Sequence, residues 1–157
     1  MARSLKTLLG DVTRLPELNV LVFALLLNFP WELFQVPLFE QMPGAPHWQA
    51  TMACSRATLG DAAIMLVAYW AVAAARRNRT WIAKPDTAGV ALFASVGLLA
   101  TALIERLALA GLWLHSWTYS AAMPVVPGID VGLSPLLQWV VLPPLVVWFV
   151  SRQIRTV

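Results

Sequence analysis

Each of the four long apolar stretches of this chain contains a side chain suited to proton transfer or hydrogen bonding. These residues are Glu32, Asp61, Glu105 and Gln138. A carboxyl group in apolar surroundings tends to keep its proton, and such a group can act as a general acid. The chemistry that we expect is therefore protonation, for example of a carbon–carbon double bond.

Aromatic residues accompany these acids along the chain. Trp31 directly precedes Glu32, and Trp117 and Tyr119 follow the stretch that contains Glu105. The face of an aromatic ring attracts a nearby cation, such as the carbocation that forms when a double bond is protonated. We therefore predict that the three rings form the walls of a substrate site.

The roles expected for the polar residues follow from their positions. Glu105 is the predicted acid, with Glu32 or Asp61 as its partner, and Gln138 is predicted to supply hydrogen bonds. Arg106 is expected either to pair with one of these carboxylates or to extend toward the membrane surface. The reason is that charges within a membrane are usually paired, whereas adjacent residues of a helix do not face each other.

Asp61 also has a structural interpretation. It lies near the predicted start of its helix, where an acid is favoured by the helix dipole. Thr58 is the better predicted N-cap of that helix, because its hydroxyl can accept a bond from a free backbone N–H. Gly60 predicts the close approach of a neighbouring helix.

The sequence lacks the usual signatures of metal and cofactor sites. His47 and His115 are the two histidines, Cys54 is the one cysteine, and no HxxxH, ExxH or CxxC spacing occurs. We therefore predict no metal site. Because phosphate-loop, dinucleotide-binding and G-x-S-x-G motifs are also missing, we expect no cofactor and no serine hydrolase.

The composition is typical of a membrane protein. Hydrophobic residues make up 59% of the 157 residues and charged residues 12%, whereas soluble domains carry about 25% charged residues. The net charge of +3 does not indicate nucleic-acid binding, because the basic residues lie in short segments beside apolar stretches. We expect membrane lipids and a lipophilic small molecule as partners, or a second copy or partner subunit in the membrane.

Four stretches are long enough to cross a membrane, which takes roughly 20 apolar residues. The predicted helices are 18–38, 57–75, 88–112 and 133–150. They predict an all-α, four-transmembrane-helix bundle that forms a single domain over 1–157. The segments 39–56 and 113–132 are predicted to face outward, and the long second one, between helices three and four, to fold over the helix ends.

The basic residues predict the orientation of this bundle. Nine of the eleven Lys and Arg residues fall on one side, in the N-terminal segment, in 76–84 and at the C-terminus. The positive-inside rule then places both termini in the cytoplasm, in a bacterial inner membrane. The four polar residues would lie about 6–10 Å below the outer helix ends and form one polar chamber.

Several stretches together resemble a family of small bacterial four-helix membrane proteins that carries no assigned activity. They are "NFPWELFQVPLF", "ATLGDAAI", "ER" and "WTYSAAMPVVPGIDVGLSPLLQW". The acid, the Trp-x-aromatic pair and the apolar start of the last helix are also similar to membrane-embedded lycopene cyclases and related terpene cyclases. Those enzymes have a Pro-x-Glu-Glu motif where this chain has Pro135-Leu136-Leu137-Gln138. In architecture alone the bundle resembles sterol-isomerase-like proteins.

Two functions remain open from the sequence. The first is an intramembrane enzyme that cyclises or isomerises an isoprenoid, carotenoid-like polyene or sterol-like substrate by protonating it. The second is a non-enzymatic lipid or small-molecule binder, a small transporter or an accessory subunit, in which the polar cluster fixes helix pairing. A transporter is less favoured, because the polar residues do not continue toward the cytoplasmic side.

Overall fold

The computed structural model describes residues 13–156 and consists mainly of four long helices. These are α1 (Pro16–Gln35), α2 (His47–Ala75), α3 (Thr87–Leu109) and α4 (Leu133–Thr156). Each is long and apolar enough to cross a membrane. The prediction of a mainly helical chain with four such helices is confirmed. Arg3 and Lys6, which contributed to the predicted orientation, lie outside the described residues.

Short elements connect the helices. The 3-10 helix Val36–Leu38 continues α1, and a second one, Trp81–Ala83, lies between α2 and α3. Strands β1 (Val125–Val126) and β2 (Val131–Gly132) precede α4 and pair in antiparallel register, with Val125 opposite Gly132. This small hairpin fixes how the chain enters α4.

Helix α2 begins at His47, well before its predicted start at 57. The residues 47–56 are therefore helical, and their prediction as part of a loop is wrong. Thr58 and Asp61 lie inside the helix, so neither caps it; Pro46 occupies the N-cap position. The polar residues of 47–56 lower the local hydropathy, but they cost a helix little once it has started.

The four helices pack around an apolar core. Helices α1 and α3 each contact both α2 and α4. At Gly97 the indole of Trp139 from α4 packs directly on the backbone of α3, because a Cβ atom there would overlap the ring. Small residues allow helices to pack this closely. Nothing lies within 4 Å of a Cβ built at Gly60, so the close approach predicted there is wrong.

One end of the bundle carries most of the described basic residues and is called the basic end. There Arg76 pairs with Asp86 at 2.7 Å, and Arg79 with Glu17 at 2.7 Å. The hydrogen bond from Arg76 holds the pKa of Asp86 below its usual value. The Asp86 carboxylate also caps α3 by accepting a bond from the backbone of Gly89.

The opposite end is formed by residues 36–46 and 110–132 and is called the loop end. The two segments bind each other through their backbones, with Phe39 and Tyr119 forming an antiparallel bridge. The Glu40 amide donates to the Thr118 carbonyl at 3.0 Å. These contacts hold the segment 110–132 against the end of α1.

Candidate functional site

A cavity of about 740 Å³ lies within the bundle near the loop end. It is lined by side chains from all four helices and from both loop-end segments. Its lining includes Glu32, Gln35, Phe39, Cys54, Arg56, Asp61, Thr101, Ile104, Glu105, Trp113, His115, Trp117 and Gln138. The four polar residues predicted from the separate apolar stretches thus face one cavity.

The amide of Gln138 is the centre of a buried polar network. This side chain is 2% exposed. Its nitrogen donates to Asp61 Oδ2 at 2.7 Å and to Asn28 Oδ1 at 2.7 Å. Its oxygen accepts a bond from Gln35 Nε2 at 3.0 Å. A single residue of α4 therefore joins α1 and α2.

Glu32 has the longest hydrogen bond of this network. Its Oε1 atom lies 3.4 Å from Gln138 Nε2. A primary amide has two N–H groups, and the shorter bonds to Asp61 and Asn28 use both of them. The Glu32 carboxyl thus needs a further hydrogen, which a proton shared with Asp61 would supply.

The geometry favours such sharing. Glu32 and Asp61 both approach the same nitrogen atom, so their carboxyl groups lie close together. In the part of the chain that the structure describes, neither carboxyl forms an ion pair with a basic side chain. Two neighbouring carboxyl groups without a cation are therefore placed so that they can share one proton.

Glu105 has a different environment, although it lines the same cavity. It is 6% exposed, and its Oε2 atom accepts bonds from the hydroxyl of Tyr119 at 2.5 Å and from Trp117 Nε1 at 3.0 Å. Two donors on one oxygen fix the orientation of this carboxyl group in the cavity. The Tyr119 hydroxyl also accepts a bond from the amide of Gly132. Helix α3 and the loop-end segment 110–132 are thus joined at Glu105.

Tyr119 is held in its donor form. Burial, together with the bond to Glu105, raises the pKa of Tyr119 above its usual value. The phenol therefore keeps its proton at physiological pH and continues to donate to Glu105. Trp117 has no titratable proton, so the pair of donors does not change over this range.

One of the two placements predicted for Arg106 was a pair with Glu32 or Asp61, and Arg106 does not form that pair. Its guanidinium donates to the carbonyl of Ile129 at 2.9 Å and lies 3.4 Å from Asp130, and its side chain is 56% exposed. The reason is rotational: consecutive residues of a helix point about 100° apart. Because the neighbouring Glu105 faces the cavity, Arg106 faces outward.

The predicted aromatic walls are only partly realised. Trp117 lines the cavity, whereas Tyr119 acts through its hydroxyl on Glu105. Trp31 packs against the apolar core instead, and its indole nitrogen has no partner among the described residues. Trp113, which belongs to the same aromatic segment as Trp117 and Tyr119, also lines the cavity.

Sequence reasoning missed two amides and a hydroxyl of this site. Asn28 and Gln35 belong to the network around Gln138. Thr101 lines the cavity, and its hydroxyl has no hydrogen-bond partner within residues 13–156. A signal was present in the spacing. Asn28, Glu32 and Gln35 follow one another at helical intervals of four and three residues, which places them on one face of α1.

Within residues 13–156, no group of three or more His, Cys, Asp or Glu side chains could hold a metal ion. No protein-family model, curated protein or solved structure matches the chain. The resemblance to membrane-embedded cyclases therefore stays a prediction, and the site has to be interpreted from its own chemistry.

Proposed function

We propose that the protein is an enzyme of the bacterial inner membrane that isomerises or cyclises a lipophilic, isoprenoid-like substrate. The observation that carries the proposal is that one cavity holds two different kinds of acid. Glu32 and Asp61 form a pair suited to share a proton, and Glu105 is a separate carboxylate bound by two donors. An acid and a base in one largely apolar cavity are what a double-bond shift requires.

The reaction would begin at the Glu32–Asp61 pair. The shared proton is transferred to one carbon of a C=C bond, and the π electrons of that bond form the new C–H bond. The other carbon becomes a cation, which the faces of Trp113 and Trp117 stabilise. In a cyclisation, the π electrons of a second double bond then attack this cation.

The reaction would end at Glu105. This carboxylate removes a proton from a carbon next to the cation, and the electrons of the broken C–H bond form the new double bond. The proton gained by Glu105 returns to the acid pair, so the enzyme is unchanged and the product is an isomer. In this scheme Glu105 acts as the base rather than the predicted acid, because both of its hydrogen bonds are accepted from donors and neither uses a proton of its own.

The orientation in the membrane belongs to the same proposal. The four apolar helices cross the bilayer, and the positive-inside rule puts the basic end and both termini in the cytoplasm. The cavity then lies in the outer half of the bundle, with the segment 110–132 facing outward. Toward the basic end the core is filled by apolar side chains such as Met65, Phe93 and Val146, which argues against a transport path.

The test compares compounds bound to purified variants. Protein isolated in native lipid is extracted with solvent, and its small molecules are measured by mass spectrometry. Glu32→Gln and Glu105→Gln should each shift the ratio of precursor to product toward the precursor, with a loss of turnover of about 10²–10⁴-fold. Glu40→Gln is the matched control, because this exposed carboxylate at the loop end does not line the cavity.

The competing function is a non-enzymatic membrane protein. It is favoured by the Gln138 network, because the same bonds that gather the acids also fix how α1, α2 and α4 pack. In that case Glu32→Gln and Glu105→Gln would lower the thermal stability without changing any ratio of bound compounds. Bulk phospholipid alone in every sample, from folded protein, would refute the enzyme.

A further inference from the structure

A cation lies at the mouth of the cavity. Arg56 of α2 lines the main cavity and also a neighbouring cavity of about 440 Å³ on the outer side of the same helix. Its side chain is exposed, so it occupies the rim rather than the interior. Among the described residues it forms no ion pair. An unpaired guanidinium is well suited to bind a carboxylate or a phosphate.

Further hydrogen-bonding groups face the same mouth. His115 and Ser116, from the loop-end segment 110–132, line the main cavity together with Arg56. The imidazole and the hydroxyl can both donate to an anion. The cavity thus has different groups at its two ends: a cation and two further hydrogen-bond donors at its rim, and the acid pair and Glu105 farther inside.

The spacing between these two regions is set by α2. Arg56 and Asp61 are five residues apart on one continuous helix, which is a rise of about 7.5 Å. A molecule whose head group binds Arg56 would therefore present the atoms a short way along its chain to the Glu32–Asp61 pair. A purely hydrocarbon substrate would leave the guanidinium without a role.

We infer that the natural ligand is an amphiphile with an anionic head group, a carboxylate or a phosphate, held by Arg56 at the cavity mouth with its apolar chain directed inward. This inference rests on the proposed function and narrows its substrate class. The bond that is protonated lies farther along the apolar chain, next to the Glu32–Asp61 pair. A membrane phospholipid carries the same head-group chemistry, so the test must separate the two sources.

The experiment measures binding to the full chain by native mass spectrometry after release from detergent micelles. The probes are retinoic acid and its methyl ester, which share an isoprenoid polyene chain and differ in the charge of the head group. The variants are Arg56→Gln, which removes the charge, and Arg56→Lys, which keeps it. Lys84→Gln, at the basic end, controls for the loss of one positive charge elsewhere.

The wild type should bind the acid about tenfold or more tightly than the ester, which is the effect of one charge-assisted hydrogen bond. Arg56→Gln should lose this preference while its affinity for the ester is unchanged. Arg56→Lys and Lys84→Gln should keep most of it. Equal binding of acid and ester by the wild type, or an unchanged preference in Arg56→Gln, would overturn the inference.

Adding phosphatidylglycerol or phosphatidylcholine distinguishes the sources of the anion. Displacement of retinoic acid by phosphatidylglycerol alone would support the anion site and assign it to membrane lipid. The proposed reaction and the proposed head-group site can be refuted independently of each other. Ester and acid binding equally well would refute only the head-group site, whereas an unchanged product ratio in Glu32→Gln would refute the chemistry but leave binding at Arg56 intact.

Discussion

Replacing Gln138 by Leu should destabilise the bundle more than any exposed amide substitution. Leu has a similar size but offers no hydrogen bond. The change removes the donor of Asp61 and Asn28 and the acceptor of Gln35, all at 3.0 Å or less, from a residue that is 2% exposed. Each of these partners would then remain buried without its bond.

The size of the effect follows from the three bonds. Interhelical hydrogen bonds in membranes contribute about 0.6 kcal/mol on average and at most about 1.7 kcal/mol. Three of them give a loss in the free energy of unfolding of roughly 2–5 kcal/mol. The bond to the Asp61 carboxyl should place the result in the upper half of this range, because a bond to a charged group is stronger than one between neutral groups.

The assay is reversible unfolding in mixed micelles with increasing sodium dodecyl sulfate, followed by helical circular dichroism. Gln49→Leu is the matched control, since this amide is exposed on α2 and should change stability little. A double-mutant cycle with Asn28→Leu isolates one bond and should give a coupling of at least about 0.5 kcal/mol. A loss no larger than that of the control would refute the view that Gln138 joins the helices.

Three further results are expected. Gly97→Ala should lower the free energy of unfolding by about 1–3 kcal/mol, because the new methyl group overlaps Trp139. Gly60→Ala should be neutral or stabilising, because nothing lies within 4 Å of the added Cβ atom and Ala favours a helix, and thermal denaturation compares the two variants. Asp86→Asn should make the free energy of unfolding less sensitive to acid. The pKa of Asp86 is lowered in the folded state, so this carboxylate contributes stability that is present above about pH 3.9 and lost as the pH falls through its folded pKa. Unfolding measured from pH 6 to 2 tests this, and an unchanged dependence on pH would contradict it. Cys54 is 4% exposed and lines the cavity, so an impermeant maleimide applied to the outer side of intact cells should label it slowly, and more slowly still when retinoic acid is bound. Labelling only after lysis would reverse the proposed orientation.

The number and kind of long helices could be predicted from the sequence, because they depend on local properties. Long apolar runs favour helices that satisfy their own backbone hydrogen bonds. Glu32, Asp61, Glu105 and Gln138 all line one cavity, as predicted. The count that placed Asp61 near the outer end of its helix was wrong, because α2 begins at His47 and Asp61 lies in its middle. The predicted start of α2 was wrong because hydropathy marks the apolar part of a helix and does not mark where the helical conformation begins.

The roles within the site could not be predicted in the same way. A helix can be rotated about its axis without any change in depth, and the rotation is fixed by packing such as that of Gly97 against Trp139. That rotation turns Glu105 inward and Arg106 outward. The return of the segment 110–132 then brings Tyr119 to Glu105.

The sequence by itself thus determined that the chain forms four long apolar helices and that each carries a polar residue suited to hydrogen bonding or proton transfer. Only the tertiary structure decided which polar groups meet: Gln138 with Asp61 and Asn28, and Glu105 with Trp117 and Tyr119. The physical reason is that hydrophobicity acts through the amount of apolar surface along each segment, whereas hydrogen bonds act through direction and distance between segments.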